Sequence, residues 1–143
     1  MTAAQTPPDR IVLGPLAETM GMTVVEASPE RVVITMPVAG NTQPYGLLHG
    51  GANAVLVETA GSIGAGLHAG EGFMVVGLDV SCTHHRAARE GLVTAVAQPL
   101  SLGRTVTSYE VRVTDEQDRP LCTGRLTCLV RPVATARGAV TTT

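Results

Sequence analysis

The distribution of apolar and polar positions predicts six strands in two groups. Residues 23–27 and 31–37 form the first group, around a turn of Ser, Pro and Glu at residues 28–30. The second group follows residue 72, with Gly or polar residues between its members: residues 73–84, 92–99, 104–114 and 121–130. Val, Thr and Leu dominate these segments, and β-branched residues pack well on a pleated surface.

One long helix is predicted over residues 47–69, which contain no proline and many small residues. Another layer can therefore approach its axis closely, but each glycine costs about 1 kcal/mol of helix stability relative to Ala. Such a helix depends on tertiary packing. A short helix is predicted over residues 11–20, where Gly14 and Pro15 interrupt it.

Strands on both sides of a single long helix are typical of an α+β fold with an antiparallel sheet. The length of 143 residues suits one domain, which we assign to residues 11–133. Residues 1–10 and 134–143 are small and polar without apolar period, so we expect a disordered N-terminal tail and a flexible C-terminal tail. One helix cannot cover both faces of the sheet, which leaves a face or an edge available for self-association.

Composition excludes several kinds of partner. A net charge of −2 provides no general basic field, so we expect neither nucleic acid nor a membrane as partner. The first ten residues contain two prolines and no apolar run, which indicates a cytoplasmic protein without a signal peptide. Cys82, Cys122 and Cys128 lack the spacing of zinc ligands, and their odd number argues against a disulfide framework. Buried reduced thiols and no metal site are expected.

Glu58 is the first candidate for chemistry, because it is the only charged residue between His49 and His68. Burying a carboxylate among small apolar groups is costly unless it is paired or used. The alternative is a Glu on a narrow solvent-facing stripe of the helix. Ser62 lies one turn further on the same face, either to hold a water or the carboxylate or to allow close packing.

A second candidate is the pair Gly50 and Gly51 near the predicted start of the helix. Free N–H groups and the positive end of the helix dipole meet there, and glycine lets a ligand atom approach the backbone. The pair can bind a carbonyl oxygen, or it can be a flexible turn. His49 and Gln43 precede it, each either functional or an ordinary structural or solvated residue.

The pattern Q-P-x-G-x-x-H-G-G at residues 43–51, with Glu58 eight residues after the first glycine of the pair, resembles that of the hotdog-fold thioesterases. More narrowly, it is similar to the branch that contains the phenylacetate-pathway thioesterase, the enterobactin-pathway proofreading thioesterase and the Arthrobacter-type 4-hydroxybenzoyl-CoA thioesterase. The likeness continues in residues 84–91 and 102–105 and covers about residues 12–131. It implies an antiparallel sheet of five to six strands wrapped around one long central helix.

The resemblance also implies roles for individual residues. Glu58 corresponds to the nucleophile or general base, and the Gly50 N–H to the donor that polarises the thioester carbonyl. His49 and Gln43 match residues near the thioester, and Ser62 matches a hydroxyl that assists the carboxylate or its water. Four more residues match segments that meet the nucleotide and phosphates of CoA in the family: Arg86, Arg89, Arg104 and Thr105. Each of them can equally be a solvated surface residue.

The function expected from the resemblance is hydrolysis of an aryl- or medium-chain acyl-CoA, with CoA as part of the substrate and no separate cofactor. Gly50 and Glu58 are separated by about 12 Å along a straight helix, too far to act on one thioester. We therefore expect a homodimer as the minimal active unit, and the family implies a homotetramer. A hotdog-fold thioester dehydratase and a non-catalytic acyl-CoA-binding module are the alternatives.

Overall fold

The order of elements along the chain follows the predicted order of two strands, one long helix and four strands. The computed structural model describes residues 5–134. After a short 3-10 helix at Pro8–Arg10, the elements are α1 (Pro15–Thr19), β1 (Thr23–Ala27), β2 (Val32–Pro37), α2 (Gly50–Ala69), β3 (Phe73–His84), β4 (Leu92–Leu102), β5 (Val106–Thr114) and β6 (Pro120–Pro132).

The six strands form one antiparallel sheet in the order β1-β2-β4-β5-β6-β3, and α2 packs against every strand from β2 to β6. This arrangement confirms the predicted α+β hotdog fold. Between helix and sheet lies the core, in which Leu56, Tyr109 and Leu126 are fully buried. Glycine is required in α2 at this contact, since a Cβ on Gly64 would lie 2.6 Å from Cε1 of Tyr109.

Several predicted boundaries were wrong by a few residues. The long helix begins at Gly50 instead of residue 47, because His49 is extended (φ −67°, ψ 132°) and caps it. The first helix shrinks to Pro15–Thr19, with proline at the start, where a missing N–H costs nothing. Strand β4 continues past Pro99 to Leu102, because a register shift beside Pro99 accommodates the proline. Strand β5 begins two residues late, after a turn closed by the Gly103 N–H and the Val106 carbonyl.

Strand β3 lies at one edge of the sheet and contains a β-bulge. Gly77 is opposite Cys128 and Asp79 is opposite Thr127, so Leu78 is the extra residue of the bulge. Most side chains of β3 are exposed, although the strand is rich in apolar residues. Among the described residues of β3, these large apolar side chains are exposed: Phe73, Met74, Val76, Leu78 and Val80.

Only part of the predicted tails falls within the described residues. Residues 1–4 and 135–143, and with them nearly all of the predicted C-terminal tail, lie outside. Before Pro8–Arg10, the Thr6 N–H donates to the Ala27 carbonyl at 2.8 Å, which places this part of the chain beside the end of β1. No helix within residues 5–134 is long and apolar enough to cross a membrane.

Candidate active site

The start of α2 leaves one backbone N–H without an acceptor inside residues 5–134. His49 accepts a hydrogen bond from the Gly51 N–H at its Nδ1, over 2.8 Å, and the Ala52 N–H donates to the His49 carbonyl. The Gly50 N–H has no such acceptor among the described residues. Because Nδ1 of His49 is an acceptor, a neutral ring carries its proton on Nε2. The helix start therefore offers a free N–H at Gly50 beside the exposed His49 ring.

A cavity of about 420 Å³ lies at this helix start. Gln43 reaches it from a tight turn in which its N–H donates to the Leu47 carbonyl, and Gly46 at φ 76° closes the turn. The Gln43 side chain accepts a hydrogen bond from the Tyr45 N–H. The cavity brings together three of the predicted site residues, and its lining is Gln43, Leu47, Leu48, Gly50, Asn53, His84, His85, Arg86 and Ala87.

Asn53 and His84 are among the residues of this cavity that were not predicted as site residues. Asn53 lies in the first turns of α2 and is 4% exposed, and its Nδ2 is 3.3 Å from Nδ1 of His84. A Cβ on Gly50 would lie 3.0 Å from Nε2 of His84. The signal in the sequence was Asn53 itself, because asparagine is a poor helix former and is rarely buried without a partner. Only the register of β3 identifies that partner.

Glu58 lies two turns further along α2, in a separate cavity of about 340 Å³. Its carboxylate has no hydrogen bond or ion pair among the described residues, and a Cβ on Gly77 would lie 2.7 Å from its Oε1. Ser62 lies in the same cavity, as predicted from its place one turn along. The other residues that line this cavity belong to α2, to α1 and to the segment that precedes α1: Val12, Leu13, Gly14, Leu16, Ala17, Val55, Thr59 and Ile63.

The environment of Ser62 includes the buried thiol of Cys128. Burial raises the pKa of Cys128, the hydrogen bond with Ser62 lowers it in part, and the nearby Glu58 carboxylate raises it further. Cys128 is therefore protonated at neutral pH and is not a nucleophile. Cys122 is buried as well, and Cys82 partly so, and all three thiols are free.

The predicted CoA-binding residues lie at three separate places in one chain. Arg86 is at the start of α2, whereas Arg104 and Thr105 line a cavity of about 490 Å³ near the opposite end, beside His68. Arg89 lies among Glu90, Asp115, Glu116 and Arg119, and three carboxylates make that position a poor phosphate site. Within residues 5–134 no group of three His, Cys, Asp or Glu side chains is arranged to hold a metal ion.

Comparison with known proteins gives consistent matches. The model of the thioesterase superfamily matches residues 45–122. The proofreading thioesterase EntH of Cronobacter turicensis is 44% identical over 119 residues, which cover 82% of this chain and 87% of that protein. Putative esterase ComA2 of Bacillus subtilis is 43% identical over 117 residues, covering 80% of this chain and 93% of that protein. The crystal structure of thioesterase HI1161 from Haemophilus influenzae superimposes with a TM-score of 0.81 at 35% identity, over 85% of this chain and 86% of that one.

Proposed function

Because this chain belongs to the thioesterase superfamily, and is a thioester hydrolase of the hotdog fold, we propose that it hydrolyses acyl-CoA thioesters with Glu58 as the catalytic carboxylate. This is the family that was predicted from the sequence, so that prediction is confirmed. The observation that carries the proposal is that, within residues 5–134, the Gly50 N–H has no acceptor and the Glu58 carboxylate has no partner, although both lie on one helix. The relatives' names favour hydrolysis over dehydration or simple binding.

The chemistry follows from those two groups. A thioester oxygen that accepts the Gly50 N–H becomes polarised, and a single donor of this kind is typically worth about 3 kcal/mol in the transition state. Glu58 either attacks the carbonyl carbon to form a mixed anhydride or removes a proton from an attacking water. Either route breaks the C–S bond and releases CoA as the thiolate, which then takes up a proton. In the first route, water then hydrolyses the anhydride, which releases the free acid and regenerates the Glu58 carboxylate. We assign the orientation of the attacking water to the Ser62 hydroxyl, because Ser62 lines the same cavity as Glu58.

Two chains are needed to complete each site. Gly50 and Glu58 line different cavities, and eight residues of helix separate them by about 12 Å. A two-fold axis that sets two α2 helices antiparallel brings the start of one beside the middle of the other. The unpaired edge of β3, with its exposed apolar side chains, supports such a homodimer. We further propose that two such dimers form a homotetramer. We also propose that the enzyme is cytoplasmic.

The cavities described above suit an acyl-CoA as the class of substrate. Arg86, or Arg104 with Thr105, supplies charge and hydrogen bonds for the CoA phosphates. The cavity at Glu58 is lined largely by aliphatic side chains such as Leu13, Val55 and Ile63, which suits an aryl or a medium-length aliphatic acyl group. CoA enters as part of the substrate, and no separate cofactor or metal takes part in the proposed reaction.

The first test is release of thiol from a panel of aryl- and aliphatic-acyl-CoAs, with and without a chelator. We expect metal-independent release from at least one substrate, and no release from the whole panel would reject the proposal.

Glu58→Gln should lower kcat by a factor on the order of 10² to 10⁴. Glu71→Gln is the matched control, because Glu71 is an exposed carboxylate just beyond α2. Equal, near-normal turnover of both variants would exclude Glu58 from the mechanism.

A second test addresses the shared site. His49→Ala removes the cap at the start of α2, next to the Gly50 N–H. Provided that this variant alone is inactive, equal amounts of Glu58→Ala and His49→Ala chains, unfolded and refolded together, form mixed dimers with one intact site of two. Random pairing then restores about a quarter of the wild-type activity by symmetry. The mixture should stay inactive after verified subunit exchange if each site lies within one chain. Each variant refolded alone provides the baseline.

A further inference from the structure

Asn53 is a buried polar side chain with a single hydrogen bond. It is 4% exposed, its Oδ1 has no partner among the described residues, and its Nδ2 is 3.3 Å from Nδ1 of His84. Buried amides usually satisfy most of their hydrogen-bonding atoms, and asparagine is unfavourable inside a helix. The only polar contact that its side chain makes within residues 5–134 is thus the one with His84.

That contact determines where the proton of a neutral His84 ring lies. The Asn53 Nδ2 group is a donor only, so Nδ1 of His84 must accept, and Nε2 then carries the hydrogen. The tautomer of a histidine is generally set by the hydrogen bond that its other nitrogen makes. His84 is exposed on the cavity side of β3, so without Asn53 its two tautomers are free to exchange in water.

Nε2 of His84 lies next to the free N–H of Gly50. A Cβ on Gly50 would be 3.0 Å from this nitrogen. Because an amide nitrogen is about 2.5 Å from the Cβ of its own residue, the two donor nitrogens are at most about 5.5 Å apart. One oxygen can accept two hydrogen bonds of about 3 Å from donors that are up to about 6 Å apart. The two donor nitrogens are therefore close enough to share one oxygen.

We propose that Asn53 is a positioning residue, which holds His84 in its Nε2–H tautomer so that His84 and Gly50 together donate to the thioester oxygen. The proposal rests on the proposed function, because it assigns a second donor to the same carbonyl. The His49 ring uses its Nδ1 to accept from the Gly51 N–H as the helix cap, whereas the Nε2 atom of His84 would contact a Cβ on Gly50. The role of Asn53 is indirect, since its Nδ2 contacts the His84 ring and its Oδ1 is buried.

The tautomer is read first, from the two-bond nitrogen–proton spectrum of the full chain labelled with ¹⁵N-histidine. His84→Gln identifies the signals of His84 among the four histidines. We expect the wild-type ring to be in the Nε2–H form at pH 8, and Asn53→Leu to give a mixture of both forms. An Nδ1–H ring in the wild type would overturn the proposal, and this result does not depend on activity.

Kinetics then separate positioning from stability. Asn53→Leu should lower kcat about 10-fold and His84→Gln about 100-fold, with KM for acyl-CoA within twofold. Tyr109→Phe is the control, because it also removes a buried side-chain hydrogen bond, of 2.7 Å to the Pro29 carbonyl, but lies outside the cavity. It should keep kcat within twofold whatever its melting temperature. An altered tautomer with unchanged kcat would refute the role in catalysis, whereas a wild type without thioesterase activity would reject the proposed function itself.

Discussion

Replacing Gly77 by Ala should make the protein slightly more stable and considerably less active. The new Cβ would lie 2.7 Å from Oε1 of Glu58, with the next atoms at 3.6 and 3.7 Å. Ordinary contacts begin near 3.4 Å, so the carboxylate must move by about 0.7 Å. It is the end of a flexible side chain and can do so at little energetic cost. A displacement of about 1 Å can cost a factor of 10² in rate, so we expect kcat to fall 10- to 50-fold.

The stability of the same variant should change in the opposite direction. Gly77 does not have a positive φ, so alanine fits its backbone. Removing glycine from a strand reduces the freedom of the unfolded chain and is worth about 0.5–1 kcal/mol. Gly66→Ala is the matched control, because a Cβ at Gly66 would meet only Val75 Cγ2 at 4.0 Å. It should stabilise α2 by up to about 1 kcal/mol and leave kcat unchanged.

Both variants are measured by thermal unfolding and by steady-state hydrolysis of the best acyl-CoA. The reasoning predicts a stable Gly77→Ala enzyme with low kcat and a stable Gly66→Ala enzyme with normal kcat. If Gly77→Ala kept full turnover, the position of the Glu58 carboxylate would not limit the reaction. If its melting temperature fell together with kcat, general distortion of β3 would explain the loss instead.

Three further predictions follow from the same structure. Gly64→Ala should destabilise the protein by about 1–3 kcal/mol in urea unfolding, because its Cβ would lie 2.6 Å from the Tyr109 ring, which cannot move easily; an increase in stability would contradict the packing described. Burial raises the pKa of Cys122 to about 12, so this thiol should resist iodoacetamide in the native protein at pH 8 and react after unfolding; rapid native labelling, located by mass spectrometry, would refute this. Arg86→Ala and Arg104→Ala should each raise KM for acyl-CoA several-fold but not for a short thioester without the nucleotide; equal losses on both substrates would place them outside the CoA site.

The sequence predicts the fold well because its signals are local. Strands rich in β-branched residues and one long segment without proline determine the α+β class, and the order of elements follows directly. The boundaries depend on details that pattern alone does not provide. The helix begins three residues late because the His49 side chain caps it, and β4 runs past Pro99 because a register shift accommodates that residue.

The candidate site is predicted in part. Gln43 and Gly50 share a cavity, and Glu58 shares another with Ser62, because each pair is close along the chain or on one helix face. Contacts between distant segments were not predictable. The approach of His84 to Asn53 depends on how β3 pairs with β6, and that register cannot be derived from the pattern of residues alone. For the same reason, the dispersal of the arginines over separate surfaces became visible only in three dimensions.

The bulge at Leu78 changes which residues of β3 point to the same face of the sheet. In a regular strand, two residues seven positions apart point to opposite faces. Gly77 and His84 are seven apart, yet both face α2, since one contacts Glu58 and the other Asn53. The extra residue reverses the phase of the strand, as the half-buried side chains of Val75 before it and Cys82 after it also show. A chain that lacked residue 78 would keep both contacts on the same face with an unbroken alternation, so the length of this strand can differ by one residue without any change in what it presents to the helix.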